Sequence, residues 1–219
     1  MASTPPRRCR PVKLLVVAAT AQEAEAAGTP PGGHTVVSGV GRTNAAAATT
    51  LGLVAHGPFD AVISVGLAGT LPGSGLDIGD TIAADHCVYM EEGIQTPDGF
   101  RTMSDLGWPL GPFEGNAVPC GPDLVERLRP IVPMTRIATV ATCSGTDGAA
   151  EAVVARTGCG AEAMEGAAVV HAAARLDVPG IEIRAISNTT GDRDAQIWDA
   201  RRALQTLAET MPAVVDRLC

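Results

Sequence analysis

Two glutamates stand beside buried apolar segments. Glu23 follows the apolar run 12–19, and Glu165 directly precedes the almost wholly apolar helix predicted over residues 167–176. A carboxylate in such a place either complements a helix dipole from the surface or is buried and needs hydrogen-bond donors. No Lys or Arg lies within a helical turn after Glu165, so a pair of ligand hydroxyls could supply those donors. For Glu23, the residues alone favour a first-turn glutamate at a helix N-terminus.

Polar and glycine-rich residues also follow several predicted strands at their carboxyl ends. They are Glu23, Gly39–Gly41, Gly66–Gly69, Ser144, Ser187 and Asn188. Ligands of open α/β sheets bind beyond the carboxyl ends of the strands. The pattern therefore predicts a ligand site formed by these residues, although Asn188 could instead cap the segment that follows it.

The elements that would position these residues alternate along the chain. Strands are predicted at 12–19, 34–38, 60–65, 80–89, 136–142 and 181–186, and helices at 45–56, 122–131, 147–156, 167–176 and 195–218. This alternation indicates one α/β domain over residues 12–219, with a largely parallel or mixed sheet flanked by helices. Residues 1–11 are predicted to be a disordered tail, and residues 90–121 an irregular insertion.

Composition excludes several classes of function. The net charge is −8 and Lys13 is the only lysine, so no basic surface remains for nucleic acid or anionic membranes. No apolar run approaches the roughly 20 residues of a membrane helix, and a cytoplasmic protein is expected. The six cysteines lack metal-ligand spacing, so we expect free thiols and no metal.

Sequence motifs for nucleotide cofactors are incomplete. Gly39-Val40-Gly41 begins like a dinucleotide fingerprint but has Asn44 at the position of the third glycine. No Gly-Lys-Ser/Thr occurs, and Ser144 lacks the G-x-S-x-G frame of a hydrolase elbow. We therefore expect no cofactor.

Two separate motifs carry a family resemblance. Residues 164–168 (Met-Glu-Gly-Ala-Ala) with 184–188 (Arg-Ala-Ile-Ser-Asn) resemble the nucleoside phosphorylase and nucleosidase superfamily. The continuation 189–194 and Trp198-Asp199 are most similar to its futalosine hydrolase branch. The resemblance implies hydrolysis of the N-glycosidic bond of futalosine, which releases hypoxanthine and dehypoxanthine futalosine in menaquinone biosynthesis. It also implies a homo-oligomer, most simply a dimer, whose subunits complete each other's active sites.

The resemblance assigns roles residue by residue. Glu23 would activate the attacking water as general base, with Asp194 as the next candidate. Glu165 would accept hydrogen bonds from the ribose hydroxyls above Met164, which could equally be core filling. Further substrate-binding residues would be Gly66, Ala68, Gly69, Ser144 and Ser187.

Asn188 is an informative departure from the family pattern. Adenosine-type nucleosidases have a proton-donating Asp at this position, whereas an amide hydrogen-bonds without transferring a proton. Asn188 therefore favours a 6-oxopurine such as hypoxanthine as the leaving group. The aromatic residue expected soon after Ser144 to stack on the base is missing, so Phe100 or Trp108 of the insertion could replace it.

The sequence leaves alternative functions open. The phosphate-holding arginine that phosphorylases carry before the glycine turn is absent, since residues 63–65 are Ile-Ser-Val. Water is therefore the favoured nucleophile, although Arg42 could be argued as a phosphate ligand. The alternatives are a methylthioadenosine/adenosylhomocysteine-type nucleosidase, a nucleoside phosphorylase and a non-catalytic nucleoside sensor.

Overall fold

A computed structural model describes residues 12–218. The strands are β1 Leu14–Ala18, β2 His34–Val37, β3 Ala61–Thr70, β4 Thr81–Tyr89, β5 Gly93–Thr96, β6 Gly99–Thr102, β7 Ala117–Pro119, β8 Met134–Thr139, β9 Ala161–Ala163 and β10 Gly180–Thr189. The helices are α1 Ala21–Ala27, α2 Arg42–His56, α3 Pro122–Leu128, α4 Asp147–Thr157, α5 Gly166–Ala174 and α6 Ala200–Leu218.

The main sheet is mixed, and five of its strands close into a ring. β3 pairs in parallel with β10, and β10 pairs antiparallel with β4. β4 and β8 are parallel, as are β8 and β9, and β9 returns antiparallel to β3. β1 and β2 extend this ring from β3, and β7 pairs with β4. The predicted α/β fold with a mixed sheet and flanking helices is confirmed.

Apolar residues explain how the helices cover this sheet. β1 is buried along its whole length, as expected of a strand covered on both faces. α5 consists almost entirely of Ala and Val and packs against β3, β10 and α2. This arrangement buries Ala167 to Val170 and holds the start of α5, with Glu165 before it, against the sheet.

The structure differs from the predicted elements at three places. Residues 66–69 form the second half of β3 rather than a turn after it. Residues 161–163, for which the sequence predicts no element, form strand β9. The last helix begins at Ala200, after a short 3₁₀ turn at Arg193–Ala195. In the first two cases, small residues that could enter a turn or a helix are held in the sheet by the neighbouring strands.

Residues 90–121, predicted to be irregular, contain regular structure as well as turns. β5 and β6 form an antiparallel hairpin, and β7 adds to the main sheet beside β4. The predicted tail at residues 1–11 lies outside the described residues. Within residues 12–218, no helix is both long and apolar enough to cross a membrane, and Cys87, Cys120, Cys143 and Cys159 are free thiols.

Candidate active site

One cavity of about 420 Å³ brings together nearly all the predicted site residues. It lies where β1, β3 and β10 end, beside the starts of α1 and α5. The predicted residues that line it are Glu23, Ala68, Gly69, Ser144, Met164, Glu165, Ser187 and Asn188. Gly66 is not in the lining and lies behind Glu23.

Glu23 is buried, and both oxygens of its carboxylate accept hydrogen bonds. Its Oε2 accepts hydrogen bonds from the backbone N–H and the hydroxyl of Thr20, both at 2.9 Å. These contacts, with the Thr20 hydroxyl accepting from the Glu23 N–H, form the capping box of α1. Its Oε1 accepts from the Leu67 N–H at 2.9 Å. The first-turn glutamate at a helix N-terminus that the residues alone favoured is confirmed. The same side chain is also buried and lines the cavity.

Glu165 is held at both oxygens. The backbone N–H of Gly41 donates to Oε1 at 2.9 Å, and Arg184 Nη2 donates to Oε2 at 3.1 Å. Gly41 has a φ of 95°, which glycine adopts without strain, so the glycine loop aims its N–H at the carboxylate. The sequence missed Arg184 as a partner because it lies on β10, far outside the helical turn considered for Glu165.

Arg184 lies behind Glu23 and Glu165 and is only 1 % exposed. Burial by itself would lower the pKa of its guanidinium. The carboxylates of Glu182, Glu165 and Glu23 outweigh that effect and raise this pKa above its ordinary value. Gly66 makes this close arrangement possible, since a Cβ there would lie 2.4 Å from both Arg184 Nη1 and Glu23 Oε1.

A β-bulge presents Ser187 and Asn188 to the cavity. Ile186 pairs with Ala68 and Asn188 with Gly69, so Ser187 is one extra residue in β10. The Ser187 hydroxyl lies 2.8 Å from Asn188 Oδ1, and Asn188 Nδ2 donates to the Thr189 carbonyl at 2.9 Å. One N–H of the Asn188 amide therefore remains for a ligand.

Glu162 is a cavity residue that the sequence did not single out. Ser144 donates to this carboxylate twice, from its N–H at 2.8 Å and from its hydroxyl at 2.6 Å. Burial raises the pKa of Glu162, and the two Ser144 hydrogen bonds oppose that rise. Its position between two alanines in 161–163 was the available signal, because a lone carboxylate among small apolar residues needs a specific partner.

The aromatic residue in the cavity differs from the ones expected to stack on the base. Within residues 12–218, Trp198 is the only aromatic residue in the cavity lining, and the Arg193 guanidinium lies 4.7 Å from the centre of its ring. Trp108 is exposed. Phe100 packs under Arg156 in a separate cavity of about 1160 Å³, whose lining contains no other predicted site residue. Neither Phe100 nor Trp108 lines the candidate site of its own chain.

Two alternative candidates also lie away from the cavity. Arg42, considered as a phosphate ligand, forms ion pairs with Glu91 and Glu92. Asp194, the second candidate for activating water, is exposed on the 3₁₀ turn and does not line the cavity. Among the described residues of the lining, Arg193 is the only cation.

Sequence comparisons identify the family. The model of the phosphorylase superfamily matches residues 32–219. Futalosine hydrolase of Streptomyces coelicolor is 35 % identical over 190 residues, covering 83 % of this chain and 78 % of the relative. Futalosine hydrolase of Thermus thermophilus is 33 % identical over 184 residues, covering 80 % and 77 %.

Solved structures share the fold at lower identity. Native futalosine hydrolase of Helicobacter pylori has a TM-score of 0.77 at 20 % identity, over 94 % of this chain and 98 % of that one. The 5′-methylthioadenosine/S-adenosyl homocysteine nucleosidase of the same organism has a TM-score of 0.76 at 20 % identity, with the same coverage. The chain thus belongs to the phosphorylase superfamily and, within it, to the futalosine hydrolase family.

Proposed function

We propose that this protein hydrolyses the N-glycosidic bond of futalosine and releases hypoxanthine and dehypoxanthine futalosine. The supporting observation is the pair of buried carboxylates, Glu23 and Glu165, that face one cavity together with Asn188. In this proposal Glu165 accepts hydrogen bonds from the ribose hydroxyls, and Met164 lies against the apolar face of the sugar. The reaction would serve menaquinone biosynthesis in the cytoplasm.

Glu23 acts as the general base of the proposed reaction. It takes a proton from water as the new bond forms between the water oxygen and the anomeric carbon, while the bond from that carbon to the purine nitrogen breaks. The free N–H of Asn188 then donates to the leaving hypoxanthine. Because an amide cannot transfer a proton, the base takes its proton from solvent.

Hydrolysis rather than phosphorolysis is supported by the positions of the cations. A phosphate nucleophile would need cationic donors beside the sugar. Arg184 is engaged by Glu165 and Glu182, Arg42 by Glu91 and Glu92, and Arg193 lies against Trp198. Water needs no such donors.

The deciding experiment follows release of the free base from three nucleosides in phosphate-free buffer. We expect hypoxanthine from futalosine, and far slower release from inosine and from methylthioadenosine. An absolute requirement for phosphate would indicate a phosphorylase. Fast cleavage of methylthioadenosine with none of futalosine would indicate the other nucleosidase class, and binding in calorimetry without turnover would indicate a sensor.

The variant Asn188→Asp tests the assignment of the base. An aspartic acid can protonate a departing purine and accept from a 6-amino group, so preference should shift toward 6-aminopurine nucleosides. The measurement is the ratio of kcat/KM for methylthioadenosine to that for futalosine, in wild type and variant. An unchanged ratio would argue that Asn188 does not contact the base.

We further propose a homo-oligomer, most simply a two-fold dimer. Four aliphatic side chains on and near α2 are exposed, namely Val37, Val40, Leu51 and Val54. Val40 also lines the cavity, so part of this exposed apolar surface borders the site. A partner packed there would cover the apolar surface and one wall of the cavity together.

A further inference from the structure

Glu182 is a buried carboxylate without a role in the proposed reaction. It is 0 % exposed in β10, where its neighbours Ile181 and Ile183 are equally buried. Taking a carboxylate out of water carries a large desolvation penalty, and an apolar residue of similar volume is often neutral or stabilising in its place. A carboxylate at this position therefore calls for an explanation other than stability.

The Glu182 carboxylate interacts with the Arg184 guanidinium and with the buried thiol of Cys87. Arg184 Nε donates to its Oε1 at 2.8 Å. Its Oε2 accepts no hydrogen bond of ordinary geometry from residues 12–218. Gly166 packs against the carboxylate so closely that a Cβ there would lie 1.9 Å from Oε2. Glu182 is thus locked between the start of α5 and Arg184.

Arg184 links Glu182 to the residues that line the cavity. Its Nη2 donates to Glu165 Oε2 at 3.1 Å and to Ser64 Oγ at 3.3 Å, and its Nη1 donates to the Leu67 carbonyl at 3.4 Å. The N–H of Leu67 in turn donates to Glu23 Oε1. Both carboxylates assigned to the reaction are therefore connected to Glu182 through a single guanidinium.

We propose that Glu182 is a positioning residue that fixes the Arg184 guanidinium and, through it, the Glu165 carboxylate. A guanidinium is planar and rigid, so holding Nε sets the directions of both Nη groups. With Nε held, Nη2 meets Glu165 and leaves the other lone pairs of that carboxylate to the ribose hydroxyls. This inference rests on the ribose-binding role proposed for Glu165.

Two conservative variants of Glu182 separate the effect of its side-chain length from the effect of its negative charge. Glu182→Gln keeps an oxygen at the same reach and removes the charge, whereas Glu182→Asp keeps the charge and withdraws it by one methylene. Because a misplacement of about 1 Å in a site can cost up to about a hundredfold in rate, Glu182→Asp should lose roughly 10- to 100-fold in kcat/KM for futalosine. Glu182→Gln should stay within about threefold of wild type, since its amide oxygen still accepts from Nε.

Ile183→Val is the matched control. It removes one methylene from the adjacent residue of the same strand, which is equally buried. We expect its kcat/KM to remain at the wild-type value, with a modest fall in melting temperature. Loss of activity in Ile183→Val equal to that in Glu182→Asp would show that any shortening in β10 is harmful, and would overturn the proposal.

A double-mutant cycle with Glu165→Gln tests the route of the effect. If Glu182 acts through Glu165, then Glu165→Gln combined with Glu182→Asp should be no worse than Glu165→Gln alone. The proposal would be overturned if the kcat/KM losses of the two single variants multiplied in the double variant. It would also be overturned if Glu182→Gln had a lower kcat/KM than Glu182→Asp. If Glu182→Asp does not fold, the activity of Glu182→Gln decides, near wild type in support and strongly reduced against.

The two levels of proposal fail in different ways. A wild-type protein that releases no hypoxanthine from futalosine contradicts the proposed function. A wild-type protein that does so, while its variants show independent effects of Glu182 and Glu165, contradicts only the positioning role.

Discussion

Arg184 supplies one positive charge among the three carboxylates of Glu23, Glu165 and Glu182. This cluster is buried, so its charges act through a medium that screens them less than water does. A ribosyl group that develops positive charge as its bond to the base breaks is stabilised by a site with excess negative charge. The cluster therefore suits cleavage of a glycosidic bond better than capture of an anionic nucleophile.

Replacing Glu23 by Gln tests the general base. The side chain keeps its shape and its oxygen but cannot take a proton, so kcat should fall by about 10²–10⁴-fold with little change in KM. Steady-state release of hypoxanthine from futalosine measures this effect. Thermal unfolding is the control, because loss of the α1 capping contacts should cost about 0.5–2 kcal/mol. Near-normal turnover in a folded variant would assign water activation to another residue.

Residue chemistry was partly predictable. Glu165 and Asn188 stand in motifs whose spacing is visible along the chain. Glu162 and Arg184 received no role, because each acts through a residue on another element. Trp198 received none, because only the fold brings it into the cavity lining. The sequence did contain a signal for pairing between Glu182 and Arg184. Two charged residues separated by one residue in an apolar strand lie on the same face of the sheet.

At the scale of elements, β3 and β10 carry the site because both continue beyond their apolar segments. The sequence predicts that β3 ends at Val65, since glycines usually interrupt strands. The strand instead continues through Gly66, whose missing side chain leaves room for Arg184 and Glu23. The glycine serves close packing of charged side chains, which no local pattern reveals.

Gly66→Ala should displace the Glu23 carboxylate and, through Arg184, the Glu165 carboxylate. Its Cβ would lie 2.4 Å from Arg184 Nη1 and from Glu23 Oε1, so one of them must move. We expect kcat/KM for futalosine to fall by about a hundredfold or more, as for other misplaced catalytic groups, together with a lower melting temperature.

Gly148→Ala is the control for that substitution. Gly148 lies in α4, with no atom within 4 Å of an added Cβ. Alanine should raise stability there by up to about 1 kcal/mol, the difference in helix propensity, and leave activity unchanged. Equal activity in both variants would contradict the packing role of Gly66.

At the scale of the whole molecule, alternating strands and helices predicted the α/β class but not the closed ring of strands. That closure depends on β9, a strand of three residues pairing β3 with β8. Three residues with small side chains carry too little periodicity to predict a strand. The antiparallel β10–β4 pairing likewise joins strands far apart in sequence, which alternation does not encode.

The exposed face of α2 makes the proposed dimer testable. Leu51 and Val54 of α2 are 68 % and 74 % exposed, and charge introduced at both should disrupt a dimer formed across this surface. Light scattering should give twice the 22.3 kDa of one chain for wild type and the single-chain mass for Leu51→Glu/Val54→Glu. Activity should fall with the mass if a neighbouring subunit completes the cavity.

Ile131→Glu is the matched control for this double variant. Ile131 is also an exposed aliphatic residue, and it follows α3, a helix that packs against α6 rather than α2. A charge there should leave both mass and activity unchanged. A fully active wild type of single-chain mass at micromolar concentration would refute the dimer. It would also mean that the exposed side chains around Val40 meet solvent or substrate instead of a second copy of the chain.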